Sequence, residues 1–138
     1  MSGKPVLLVE DSDDDALLLK RTLNKVGLAN PVYHVNDVDQ ALCYLSGEGP
    51  FSDRNQHPLP SVIFLDLRLP IRSGYELLEW IGTRPEFRTI FIVVLAGTGN
   101  IEDIAKANRM GANTFLTKPC KPVDIENLVK GFKNCWES

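Results

Sequence analysis

The feature that most constrains this chain is a short, unbroken apolar run that recurs and each time stops abruptly. Val6 to Val9 is the first such run, ended by Glu10 and Asp11. Ser61 to Leu65 and Phe91 to Leu95 repeat the pattern, the first of these ending at Asp66. Runs of Val, Ile and Leu without polar alternation suit strands covered on both faces, because a half-exposed strand would place polar residues at every second position. Between the runs the spacing turns helical. Ala16, Leu17, Leu19, Lys20 and Leu23 lead to Gly27, and Tyr75, Leu77, Leu78 and Ile81 lead to Gly82, glycine being a frequent helix stop.

Weaker signals complete the series. A strand is predicted at Pro31 to Val35, helices at Val38 to Leu45 and Ile101 to Met110, a strand at Thr114 to Thr117, and a last helix at Val123 to Phe132. Five strand-helix pairs in strict alternation imply parallel strands joined by right-handed crossovers. The expected fold is α/β, a flavodoxin-like (βα)5 doubly wound parallel sheet with strand order 2-1-3-4-5. Ser46 to Pro60, rich in Gly, Pro, Asn and Asp, reads as a surface loop.

A chain of 138 residues with 43% hydrophobic content suits one domain with a real core. A net charge of -3 and a pI near 5.3 argue against general affinity for nucleic acid, which requires a concentrated excess of Lys and Arg. Cys43, Cys120 and Cys135 show neither paired ligand spacing nor a disulfide framework, which fits reduced thiols in the cytosol. No stretch reads as an export signal or a membrane span, so a cytoplasmic location is expected.

In an open parallel sheet, ligands bind beyond the carboxyl ends of the strands. The expected strand ends carry Glu10 and Asp11, Asp66, and Lys118 with Pro119. Strands one and three are neighbours in the expected order, so their carboxylates converge. Three carboxylates in one cleft repel unless a cation neutralises them. Hard oxygen donors without clustered His or Cys favour Mg2+. A carboxylate nucleophile, a hard divalent ion and a lysine together meet the requirements of phosphoryl transfer.

Over essentially its whole length the sequence resembles the response regulator receiver domains of two-component signalling. "LLVEDS", "VIFLDLRLPIRSGYELL" and "FLTKP" carry the likeness. The resemblance implies that Asp66 accepts the phosphoryl group, that Asp11 and Asp66 bind Mg2+ directly, and that Glu10 acts through the metal's waters. It further implies a metal bond from the carbonyl of Arg68, a phosphoryl contact from Lys118 and a cis bond between Lys118 and Pro119, a form that only X-Pro bonds adopt at modest cost. The long loop before the third strand and the "DLRLP" wording are similar to the small regulators paired with cyanobacterial phytochromes. The implied phosphodonor is a histidine kinase, of phytochrome type under that likeness, or a histidine phosphotransfer protein. A homodimer is a further candidate assembly. Slow self-dephosphorylation is the only catalysis expected, so the chain reads as a regulator rather than an enzyme. It closes soon after the last helix, so residues 1–138 read as a single receiver domain without a separate output domain, signalling from its own surface.

One departure stands out. Receivers usually place Thr or Ser directly after the fourth strand, where the hydroxyl bonds the phosphoryl group; Ala96 stands there instead. In "VVLAGTGN", Thr98 is a candidate substitute hydroxyl flanked by Gly97 and Gly99. Phe115 takes the second switch position, an aromatic without tyrosine's hydroxyl. Ala96 motivates an alternative, a degenerate receiver that acts as a phosphorylation-independent interaction module.

Blander readings compete for several residues. Ser12 to Asp15 suits a helix cap, favoured by the helix dipole. Asp11, Asp13 and Asp15 imitate the start of a calcium loop, but Ala16 and Thr22 occupy its glycine and bidentate glutamate positions. Glu102 stands where a dinucleotide-binding Gly-x-Gly-x-x-Gly would need its third glycine. An acidic first loop repels a flavin phosphate. Arg68 replaces the second Asp of a dehalogenase-type phosphatase motif. His34 and His57 read as packing or surface residues. Phe132 and Trp136 suit either packing on the domain or a dimer surface.

Overall fold

The computed structural model describes residues 4–97 and 101–131. Thr98, Gly99, Phe132, Cys135 and Trp136 therefore lie outside the described residues. Five strands alternate with five helices: β1 (Val6–Val9), α1 (Asp13–Lys25), β2 (Val32–Val35), α2 (Val38–Ser46), β3 (Val62–Asp66), α3 (Gly74–Gly82), β4 (Phe91–Gly97), α4 (Ile101–Arg109), β5 (Thr114–Lys118) and α5 (Pro122–Gly131). The strands form one parallel sheet in the order β2-β1-β3-β4-β5, as the alternation predicts.

The continuous apolar runs have a simple cause. Every residue of β1 and β3 is buried, whereas the edge strands β2 and β5 are only partly covered. Side chains alternate between faces with a period of two, which splits the core into two layers. Leu7, Val9, Ile63, Leu65, Ile92, Val94 and Ala96 pack with α2, α3 and α4. Val6, Leu8, Val62, Phe64, Val93, Leu95 and Leu116 pack with α1 and α5. Burying a Leu, Ile or Phe contributes about 1.5–3 kcal/mol, so the two layers together account for most of the drive to fold.

Helix ends follow local chemistry. Ser12 caps α1, its Oγ accepting the Asp15 N–H at 3.2 Å, and Asp13, Asp14 and Asp15 fill the first turn. The buried face of α1 is Ala16, Leu19, Thr22 and Leu23. Leu17, which the periodicity placed with that face, is about half exposed, as is Leu18. Gly27 ends the first helix with φ 93°, where a side chain would be strained. Gly82 differs: it is the last residue within α3, without positive φ, and Thr83 forms the cap.

The stretch from Ser46 to Pro60 is more ordered than a plain surface loop. A 3-10 turn at Gly49–Phe51 and the ring cluster of Tyr33, Tyr44, Phe51 and His57 anchor it. Arg54 donates to the carbonyls of Tyr44, Leu45 and His57 at 2.7, 2.6 and 3.0 Å, satisfying the end of α2. Among the described residues, no helix is long and apolar enough to cross a membrane.

Candidate functional site

The same period of two that builds the α1/α5 layer also delivers the site. Val6, Leu8 and Glu10 share a parity, as do Val62, Phe64 and Asp66, and Leu116 and Lys118. One step beyond the apolar layer, each of three strands therefore presents a charged side chain to one hollow. Pairing fixes the depth: Asp66 lies opposite Leu95, Leu95 opposite Leu116, and Gly97 opposite Lys118. Lys118 starts further along the sheet and its long side chain reaches back. Its Nζ donates to Glu10 Oε1 and Asp66 Oδ2, both at 2.9 Å, and lies 3.4 Å from Asp15 Oδ2.

Glu10 and Asp66 are almost fully buried, at 1% and 4% exposure, while Asp11 is exposed at the rim. Among the described residues, Glu10, Asp11 and Asp66 form a group whose carboxylate oxygens lie within 4.8 Å of one another. One lysine does not balance three carboxylates, and the pocket's protonation shows it. Burial, first of all, pushes the Glu10 carboxyl up to about 7; the bond from Lys118 pulls it down, and Asp66 pushes it up again. Burial works against the charge on Lys118, but its bonds to Glu10 and Asp66 outweigh that and hold its pKa above the ordinary value.

This donor set suits a hard divalent cation. It consists of oxygens alone, is preassembled and carries excess negative charge.

The loop after β3 is tightly built. The Arg68 N–H donates to Asp66 Oδ1 at 2.9 Å and orients that carboxylate. Gly74 N–H donates to Leu67 O at 3.0 Å, and a Cβ at Gly74 would lie 2.6 Å from Asp66 O, so only glycine lets α3 start this close to β3. The Lys118–Pro119 bond is cis. Ala96 is buried, and lies within β4, one residue before its end, instead of directly after the strand. Phe115 is 45% exposed on the edge strand β5.

Several contacts at the site have no signal in local sequence spacing. Asp15, in the capped first turn of α1, also approaches Lys118. His34 Nε2 meets the Glu10 carbonyl at 2.7 Å and so braces the backbone beside the site. Arg68 Nη2 pairs with Asp103 Oδ2 at 3.1 Å, and Tyr75 Oη donates to Asp103 Oδ1 at 2.7 Å. Asp103 is 35 residues from Arg68 in sequence, a separation that no local spacing rule spans.

Comparison with known proteins decides the family. The profile of the response regulator receiver domain matches residues 6–130. The chain belongs to the response regulator receiver family. Receiver domains of this family act in two-component systems, which pair them with histidine kinases or phosphotransfer proteins. The receiver is 31% identical over 133 residues to response regulator Rcp1 of Synechocystis sp., a match covering 96% of this chain and 88% of that one. The crystal structure of the Mn(2+)-bound form of Rcp1 superposes with a TM-score of 0.77 at 30% identity, covering 96% and 93% of the two chains. Response regulator RPA3017, from red light signaling of R. palustris, gives a TM-score of 0.84 at 26% identity, with 97% and 94% covered. The phosphorylated cyanobacterial phytochrome response regulator RcpA gives 0.79 at 32% identity, with 96% and 93% covered.

Proposed function

We propose that Asp66 is the phospho-acceptor of this receiver and that Glu10, Asp11, Asp66 and the carbonyl of Arg68 hold Mg2+, with Glu10 acting through water. The observation that carries this reading is the position of Lys118 Nζ, 2.9 Å from both Glu10 and Asp66. It ties the ends of β1, β3 and β5 into one charged hollow that holds a buried carboxylate nucleophile.

In the reaction, an Asp66 carboxylate oxygen attacks phosphorus of a phosphohistidine donor. A P–O bond forms, the P–N bond breaks, and the imidazole keeps the electron pair. Lys118 neutralises charge on the transferring oxygens, and the Arg68 N–H orients the attacking carboxylate. Mg2+ held by these groups would supply the positive charge that the carboxylate cluster lacks. Loss of the group is hydrolysis of the acyl phosphate by water, slow enough to leave a signalling state and the only catalysis assigned to the chain.

The likeness to RPA3017 and RcpA supports a phytochrome-type kinase as the donor's source. The acidic balance and the modest share of Lys and Arg support a protein partner, not nucleic acid, and free thiols at Cys43 and Cys120 fit a cytosolic setting. An intact acceptor, lysine and acid cluster argue for phosphorylation over a phosphate-independent interaction module.

Incubation with a small phosphodonor and Mg2+, followed by intact-mass spectrometry, should show one added phosphoryl group. The adduct should be absent in Asp66→Asn and after chelation. A wild-type protein that takes up no group under these conditions would falsify the reading.

A further inference from the structure

Two observations bear on how phosphorylation is registered. The acceptor pocket has a buried methyl at Ala96, so a phosphoryl group on Asp66 lacks a hydroxyl donor from that position. Close by, a cationic donor is held away by a weak restraint. The Arg68 side chain is 71% exposed, and its ion pair with Asp103 at 3.1 Å joins the acceptor loop to the first turn of α4. Asp103 is the hub of that join: it also accepts the Tyr75 hydroxyl from α3 at 2.7 Å, and Lys106, one turn further along α4, stands 4.2 Å from the Tyr75 ring.

We propose that Arg68 is a phosphoryl-binding residue: on phosphorylation of Asp66 its guanidinium leaves Asp103 for the phosphoryl oxygens, and the loss of that tie at α4 is how the modification is read. This rests on Asp66 being the acceptor. The Arg68 side chain springs from beside the acceptor, since its own N–H lies 2.9 Å from Asp66 Oδ1, and at 71% exposure it has open solvent around it for a second rotamer. The energetic ordering favours exchange. The Arg68–Asp103 pair is exposed on its arginine side, at 71% against 29% for Asp103, so solvent screens the guanidinium and the pair contributes modestly. A phosphoryl group brings roughly two negative charges and acceptor oxygens that match the flat guanidinium fork, a stronger charge-assisted contact. Once Arg68 departs, Asp103 keeps, among the described residues, Tyr75 and the field of Lys106, and the first turn of α4 loses this link to the β3 loop. A hydroxyl at position 96 is then unnecessary for coupling.

Amide hydrogen exchange across residues 101–109 tests this, read alongside adduct formation by intact mass. Unmodified wild type should exchange slowly there and several-fold faster once phosphorylated. Asp103→Asn, which can still accept from Tyr75, should exchange at the fast level before modification and show no further change. Arg68→Ala should form the adduct, lose it several-fold faster than wild type, and show no modification-dependent change at α4. Arg68→Lys should restore part of the adduct lifetime, because it keeps the charge without the fork. If the wild type forms the adduct with no change at α4, or if Arg68→Ala retains both the lifetime and the α4 response, the exchange does not occur. Absence of any adduct in the wild type would instead remove the acceptor assignment itself.

Discussion

Glu10 shows how one residue reports the pocket's charge imbalance. Its carboxyl is raised from the ordinary 4.5 to about 7, so between those values the folded protein holds a proton that the unfolded chain has released. Stability must therefore fall as pH rises across that window, by at most about 3 kcal/mol. Calorimetry in chelator should show Tm dropping between pH 5 and pH 8, with Mg2+ restoring it at pH 8. Glu10→Gln should flatten the chelator profile; a wild-type profile already flat in chelator would mean that the pocket tolerates all its charges without a cation. Ile71 carries a different kind of tension. It is a β-branched residue at φ 70° and is 99% exposed, so its side chain recovers no packing energy for an unfavourable backbone. The left-handed conformation costs roughly 1–2 kcal/mol, and glycine at this site returns about 0.4–1 kcal/mol to the unfolded chain's entropy. Ile71→Gly should raise the urea midpoint by about 0.5–1 kcal/mol equivalent with an unchanged slope. A lowered midpoint would place the Ile71 side chain in contacts that its exposure denies.

At the scale of elements, the contact between the start of α3 and the end of β3 is the tightest joint near the site. A methyl at Gly74 would press within 2.6 Å of Asp66 O and 2.9 Å of Leu67 Cα, both backbone atoms that cannot swing aside. Gly74→Ala should destabilise by about 1–3 kcal/mol, as overpacking does. It should also slow adduct formation, because the displaced backbone carries Asp66, the proposed acceptor; normal stability and normal adduct kinetics together would show that the helix start can shift freely. This joint also marks the limit of what sequence could disclose. Interior strands were legible because burial on both faces writes itself as an unbroken apolar run, and Glu10, Asp66 and Lys118 were legible because parallel sheets bind ligands where such runs end. The extension of β4 to Gly97 was not legible, since it depends on Ala96 and Gly97 pairing with Thr117 and Lys118 in a strand some 20 residues away. Arg54 capping α2 through the Tyr44 and Leu45 carbonyls, and Asp103 joining Arg68 to Tyr75, are likewise products of tertiary approach that leave no periodic trace.

The whole molecule unites these parts through a single sheet with two faces. Phe64 lies with α1 and α5, while its neighbour Ile63 lies with α2, α3 and α4, so the two core layers share the backbone of β3. A cavity opened on one side therefore weakens the strand on which the other side also rests. Ile63→Ala should cost about 2–5 kcal/mol and Phe64→Ala about 3–5 kcal/mol. The more telling expectation is that either substitution speeds amide exchange in α1 and α5 and in α2 and α3 by the same factor, under conditions where exchange occurs by global unfolding. That equality follows if the layers unfold as one cooperative unit. Exchange that accelerates only on the mutated face would mean that the layers open independently. In that case Asp66 and Lys118, which close the α1/α5 layer, would be insulated from α4 in the other layer, and any signal passing between them would have to travel through the loops at the sheet's carboxyl edge alone.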